Sequence, residues 1–560
     1  MARRMRLQCL PGYARVVLLA CALAMACGPA AADKRTVCTI TVNSPDEKLV
    51  LRQRLPEDDY QFVELVEHGR SDWLASACRQ GVRCDVLVIS GHFDSGTEFY
   101  SDRLDMRESL PVAEMDRAAC SDSCPGVFSQ LTEVYLFGCN TLNAEAVTST
   151  SPEAERSLVR AGHSQVEAQH LARTLDQRHG ESNRDHMRRI FMNVPVIYGF
   201  SSRAPLGASA ATVLNRYFES APAAAIGSGR VNPKLLSHFA VNSMTATSGF
   251  VDSDPETTHR RELCQFVDDR TSPADKLRFI HTLLGRDMAE VRMFLERIET
   301  LFASLNESER TEPSFSEALG EIARDLIARD QYLRFAEDAD LAQVRARMIQ
   351  LAGRLGWLSP ADERAELIRM VGDLIARGTL GSPEIELVCS LNDGSALDGE
   401  RHRLQVSAMQ ADKVNNAAAL ACLGSPEGRA RVLRAMTSKN DDDVRIAQVY
   451  LSHRPITDVN ELRLVASGIT RMTASGAQVR ALDTLARHRL SDRQSLDELA
   501  RLFPVAGSVG VQRAIAAVLI RADTSAMAKP EVARVLSQHR LKSPDGDDII
   551  DILIRRLRAS

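Results

Sequence analysis

The feature that most constrains what this chain can fold into is a change of hydrophobic period along its length. Between residues 36 and 220, short β-branched apolar runs alternate with amphipathic segments of helical spacing. That is the rhythm of a parallel sheet with helices on both faces. From about residue 258 onward, Leu, Ala, Ile and Val recur at three- and four-residue spacing without a strand pattern, which reads as helices throughout. An α/β domain followed by an all-α domain is therefore expected. A 44% hydrophobic and 26% charged composition suits soluble folded domains and excludes both a disordered chain and a multi-span membrane protein. Lys+Arg 69 against Asp+Glu 74 gives a formal charge of -5, so no basic field exists to hold a nucleic-acid backbone.

Candidate strands run from Val37 to Val42, Tyr60 to Val66, Asp85 to Ser90, Glu133 to Phe137 and Pro195 to Phe200. The near-continuous run Val86-Leu87-Val88-Ile89 marks a strand buried on both faces. Helices are expected after Ser44-Pro45-Asp46-Glu47 and after Ser71-Asp72, with a long one through Glu155 to Gln177. Linker composition appears from Ala221 to Pro233 and from Thr245 to Thr258. These signals divide the chain into a leader (1–32), an α/β domain (33–220), a linker (221–257), a helical domain (258–400) and a region of helical repeats (401–560). Helix starts with proline at the first position stand at Ser272-Pro273, Ser359-Pro360 and Ser382-Pro383.

In the last region Val444-Arg445-Ile446-Ala447, Val479-Arg480-Ala481-Leu482 and Gln512-Arg513-Ala514-Ile515 recur about one helix pair apart. The recurrence resembles HEAT-like repeats, which implies a surface for a protein partner; an ordinary helical bundle is the alternative.

The leader has the composition of an export signal: Arg3, Arg4, Arg6 and Arg15 precede an apolar run from Val16 to Ala26 that is too short to span a bilayer. Two endings compete. Ala30-Ala31-Ala32 supplies the small residues a signal peptidase accepts, whereas Leu23-Ala24-Met25-Ala26-Cys27 resembles a lipobox, in which Cys27 would carry a lipid tether. Either way the expected location is periplasmic, outer-membrane-anchored or extracellular, in a bacterium. Cleavage after Ala32 removes four arginines and no acid, leaving a more acidic mature chain.

Export exposes the cysteines to oxidising conditions, and an odd number remains after Cys9, Cys21 and Cys27 are removed. One thiol must then lack an intramolecular partner. Cys120 with Cys124, across Ser121-Asp122-Ser123, and Cys78 with Cys84, across Gln80-Gly81, are the expected pairs. Neither spacing suits zinc, and His163, His170, His179 and His186 do not follow the four-residue step of a helical metal site. No metal and no cofactor is expected.

Two strand ends carry chemistry. Val86 to Ser90 runs into Gly91-His92-Phe93, and Val134 to Phe137 runs into Gly138-Cys139-Asn140. Ligand crevices of open parallel sheets lie at the carboxyl ends of the strands, so neighbouring strands would bring His92 and Cys139 together. A thiol becomes nucleophilic beside an imidazole, and the imidazole can return a proton to a leaving amine. Gly91 and Gly138 permit tight turns, and N–H groups beside Phe93 and Cys139 could stabilise an oxyanion.

The arrangement resembles the caspase-like cysteine peptidase superfamily, which includes caspases and the CHAT domain, over roughly residues 36 to 220. The resemblance implies an α/β/α sandwich with a mainly parallel sheet, peptide substrates, Cys139 as nucleophile and His92 as general acid and base. Phe93 stands where the family usually has glycine. The segment Val196 to Arg203 matches a strand and pocket loop, which makes Arg203 a candidate for substrate contact. Arg203 suits an acidic substrate side chain, while Asp94, Glu98 and Asp102 suit a basic one, and the sequence leaves the choice open. A catalytically inactive relative, using the same fold and the repeats for binding, is the alternative function.

Overall fold

The computed structural model describes residues 34–559 except 66–73, 94–95, 103–107, 121–124, 146–150, 180–181, 255, 489, 524, 526 and 543–547. The expected leader with Cys27, and the candidates Asp94 and Cys124, lie outside the described residues. Among the described residues no helix is long and apolar enough to cross a membrane. Among the described residues two compact units are present, the first comprising those up to 150 with 173–272 and the second 151–172 with those from 273 onward.

The first unit is built on a six-stranded sheet. Its strands are β1 (Arg35–Thr41), β2 (Tyr60–Glu64), β3 (Val86–Ser90), β6 (Glu133–Phe137), β7 (Val196–Phe200) and β8 (Met244–Thr247), in the order β2-β1-β3-β6-β7-β8. All neighbours are parallel except β8, which runs antiparallel to β7. A small antiparallel hairpin, β4 (Glu98–Tyr100) with β5 (Ser109–Pro111), stands apart from the sheet.

Strand alternation divides β3 between two cores. Val86 and Val88 pack on one face with residues of the helices α1 (Asp46–Arg54) and α4 (Gly207–Ser220), while Leu87 and Ile89 pack on the other with α2 (Val112–Cys120) and α3 (Asn183–Ile190). Both faces are thus covered, and the unit is an α/β fold with a mainly parallel sheet.

The stretch expected to be a linker is structured. It holds α5 (Pro233–His238) and β8, the sheet's antiparallel edge, and it leads into α6 (Glu256–Val267), which packs on α2 and α3. Arg260 fixes α6 by donating to the carbonyls of Ala119 (2.8 Å) and Arg189 (3.2 Å). The first unit therefore extends to Ser272 rather than ending at 220. Its short edge strand, Met244-Thr245-Ala246-Thr247, has no run of large apolar residues to announce it.

The long helix expected through Glu155 to Gln177 is two helices, Ser151–Arg160 and Gln165–His179. Gly162, at φ 102°, ends the first in a conformation that other residues rarely adopt. Ser164 and Glu167 then open the second with a reciprocal cap: the Glu167 N–H donates to the Ser164 hydroxyl, and the Ser164 N–H to the Glu167 carboxylate.

The expected disulfide pairs are replaced by others. Cys84 joins Cys38 and Cys120 joins Cys264, with Cα atoms 5.6 and 5.1 Å apart, and Cys78 is disulfide-bonded elsewhere than to Cys84. Nearness in sequence does not govern the pairing. Register places Val37 against Val86, which carries residues just before β3 alongside β1, and the packing of α6 on α2 brings Cys264 to Cys120.

The second unit is helical, and one continuous core runs from Ala346 to Leu557, with no boundary at residue 400. From Ser382 on, alternate helices stack into two layers. Ser382–Leu391, Val414–Cys422, Asp441–His453, Ser475–Leu485, Val509–Arg521 and Ile549–Ala559 pack successively in one; Pro426–Ala435, Val459–Thr470, Arg493–Leu502 and Lys529–His539 form the other. The recurring segments fall in three consecutive helices of the first layer, where Ala447, Ala481 and Ala514 are all buried. A third disulfide, Cys389–Cys422, links neighbouring helices of that layer.

Candidate active site

The register of the sheet sets the site. Ser90 pairs with Phe137 on the last rung shared by β3 and β6, so His92 and Cys139 each follow two residues beyond the same rung, at the carboxyl edge. The Gly91 N–H continues the pairing by donating to the Phe137 carbonyl at 3.1 Å. The two glycines serve close packing rather than a reversed backbone. A Cβ on Gly138 would stand 2.8 Å from the Cβ of Phe93 and 3.0 Å from the Gly91 carbonyl oxygen, and one on Gly91 would stand 3.1 Å from the Val42 Cβ.

Phe93 explains part of that crowding. It is 1% exposed and packs against Phe99 of β4 at 4.7 Å between ring centres, so it is a core residue that anchors the histidine loop to the hairpin. The backbone of His92 itself bridges to Tyr100, donating and accepting at 2.9 Å. The imidazole is partly exposed, and its Nε2 lies 3.2 Å from a carboxylate oxygen of Asp102. The Asp102 carboxylate, exposed on the surface, thus stands at ion-pair distance from the imidazole, although the buried Nε2 makes no hydrogen bond among the described residues.

Among the described residues Cys139 is the free cysteine, and it is partly exposed. Its backbone N–H makes no hydrogen bond there, which leaves it able to donate to an oxyanion. The following turn is held from several sides. Asn140 adopts φ 59°, donates its N–H to the Ser202 carbonyl at 2.7 Å and accepts at its carbonyl from the Asn183 side chain at 3.0 Å. Fully buried Thr141 donates its hydroxyl to the Gly138 carbonyl (3.2 Å) and accepts from the Phe200 N–H (3.1 Å). These holding residues are polar and unremarkable in sequence, and only the meeting of β6 with β7 makes them legible.

Arg203 follows Ser202 on the same edge; it is exposed and forms no ion pair among the described residues. Beneath the edge sits Glu47, in the first turn of α1, 3% exposed and with one carboxylate oxygen unpartnered. Burial pushes its carboxyl up to about 7, against the Ser90 hydroxyl, which favours the charged form. The motif that opens α1 contains Glu47, but a helix-starting acid normally faces solvent. The buried Glu133 lies at the opposite edge and is fully engaged, accepting from the N–H groups of Gly227 and Gly229 and from the Tyr135 hydroxyl.

No protein-family model, curated protein or solved structure matches this chain.

Proposed function

We propose that the α/β unit is a caspase-like cysteine endopeptidase carried by an exported protein, with Cys139 as nucleophile and His92 as general acid and base. The observation that carries this reading is the isolation of one thiol: the other described cysteines are in disulfides, while Cys139 is free, partly exposed and level with His92. His92 takes the thiol proton, and the thiolate attacks the scissile carbonyl carbon to give a tetrahedral intermediate. The Cys139 N–H donates to the developing oxyanion. Collapse of the intermediate breaks the C–N bond as His92 returns the proton to the leaving amine, and water then hydrolyses the thioester.

Arg203 is an exposed charge without an ion pair among the described residues, on the loop bonded to the Cys139 turn, and it favours peptides with an acidic side chain. Disulfides support an oxidising compartment. The stacked helices of the second unit, read as HEAT-like repeats, would bind a protein partner or present the substrate.

A thiol-reactive peptide probe tests the assignment. Labelling at Cys139 that disappears in His92→Ala, together with cleavage of a peptide library, is the expected result. Failure of both would leave a binding scaffold on a peptidase-like fold.

A further inference from the structure

We propose that a groove between the last two described helices of the second unit binds an acidic peptide segment of a partner protein. The groove, about 720 Å³ in volume, lies between Lys529–His539 and Ile549–Ala559. Met527, Ala533 and Leu557 are its apolar lining, and Lys529, Arg534 and Arg558 supply all the charge among its described lining residues. The volume is in the range of specific ligand sites.

The three cations have no carboxylate partner among the described residues. Arg534 donates to the side-chain oxygen of Gln538 at 2.9 Å and Arg558 to the Ser537 hydroxyl at 2.8 Å, so both hydrogen bonds leave the charge uncompensated. Some arginines elsewhere in the stack do have a carboxylate, although Arg471 and Arg521, like these, bond only to a hydroxyl or a carbonyl. Arg463 lies on Asp492, Arg480 on Asp441 and Arg513 on Asp548. Lys529 stands in the first turn of its helix, where the helix dipole disfavours a cation. Helix stability therefore gives no reason for that charge to be there.

An occupant must bring carboxylates for three cations and an apolar side chain for the lining, which describes an acidic peptide. Nucleic acid fits less well: the chain is acidic, at a formal -5, and the described lining contains no aromatic side chain on which a base could stack. The proposal deepens the partner-binding role given to the helical unit and does not depend on whether Cys139 and His92 hydrolyse peptides.

The experiment uses the full chain and a fluorescein-labelled peptide of alternating Glu and Leu, with fluorescence anisotropy as the readout. Binding should weaken as salt screens the charges. A Gln-for-Glu peptide, and the double variant Arg534→Glu with Arg558→Glu, should each lose about tenfold or more in affinity, equivalent to 1.4 kcal/mol. Should the charge reversal disturb folding, Lys529→Gln with Arg534→Gln at exposed and half-buried positions gives the same comparison. Hydrolysis of small peptides should stay unchanged in these variants, which separates this proposal from the peptidase reading. Absence of binding by the Glu peptide, equal binding by folded variants, or tighter binding of a single-stranded oligonucleotide through the same residues would overturn it.

Discussion

The N–H of Asn140 donates to the carbonyl oxygen of Ser202 across 2.7 Å, tying the turn that carries Cys139 to the loop that carries Arg203. Cys139 and the exposed cation therefore share one backbone frame, anchored at the ends of β6 and β7. On the other side, His92 is fixed by its backbone bridge to Tyr100 and by the packing of Phe93 on Phe99. Each half of the proposed dyad is thus positioned by the strand end before it and by a neighbouring element.

Cys139→Ala should abolish peptide hydrolysis while the thermal unfolding curve stays in place, because the thiol is partly exposed and the turn is held by Asn140 and Thr141. His92→Ala should cost on the order of 100- to 10,000-fold in kcat/KM through loss of acid and base help. Wild-type turnover in either variant would remove the assignment.

Asp102 is an exposed partner, so its contribution should be modest. A surface ion pair is worth at most about 1 kcal/mol, which corresponds to roughly fivefold in rate. Asp102→Asn should therefore lower kcat by up to about fivefold with little change in KM. A large rise in KM at constant kcat would instead place Asp102 on the substrate.

Thr141→Val keeps the shape of the side chain and deletes the hydroxyl between Gly138 and Phe200. It leaves the buried Phe200 N–H without its acceptor, at a cost of about 1–3 kcal/mol. Denaturant unfolding should show that loss, accompanied by reduced labelling of Cys139 by a peptide probe. Unchanged stability would mean that another group accepts from Phe200.

The disulfides close long stretches, with a sequence separation of 46 for Cys38 and Cys84 and of 144 for Cys120 and Cys264. Chain entropy alone gives each roughly 4 to 5 kcal/mol of stabilisation. Mass spectrometry after alkylation without reduction should find these two pairs linked and Cys139 alkylated. Recovery of a Cys120–Cys124 peptide, or of Cys139 in a disulfide, would contradict the arrangement.

The sheet was legible because its five parallel strands are apolar runs bounded by turns, and Val86 to Ile89 shows burial on both faces directly. His92 and Cys139 could be singled out because each follows such a run and a glycine. The reason for those glycines was not legible: Gly138 is required by the proximity of Phe93 and Phe99, which are far from it in sequence. Disulfide pairing and the extent of the first unit failed for the same reason. Cys264 and β8 gain their partners only through tertiary packing, and Met244-Thr245-Ala246-Thr247 has the composition of a loop. His186, whose spacing excluded a metal site and pointed to no other role, is half-buried and contacts Asp116 at 2.9 Å through the packing of α3 on α2.

Glu47 gives a stability profile with a definite sign. Its carboxyl has an ordinary value of 4.5 and is raised to about 7 in the folded chain, chiefly by burial. Between those values the native state holds a proton that the unfolded state has released. Unfolding then loses that proton, so stability on account of this group falls as pH rises from 4.5 through 7. The full loss, reached above pH 7, is on the order of 3 kcal/mol. Glu47→Gln keeps the size of the protonated side chain and removes the ionisation. The variant should be more stable than the wild type at pH 8, with a flatter dependence of Tm on pH between 4.5 and 7, while the two converge near pH 4.5. Parallel Tm curves for the two proteins across that window would show that Glu47 reaches water or a cation in the native state, and that its burial beneath Ser90 is not maintained in solution.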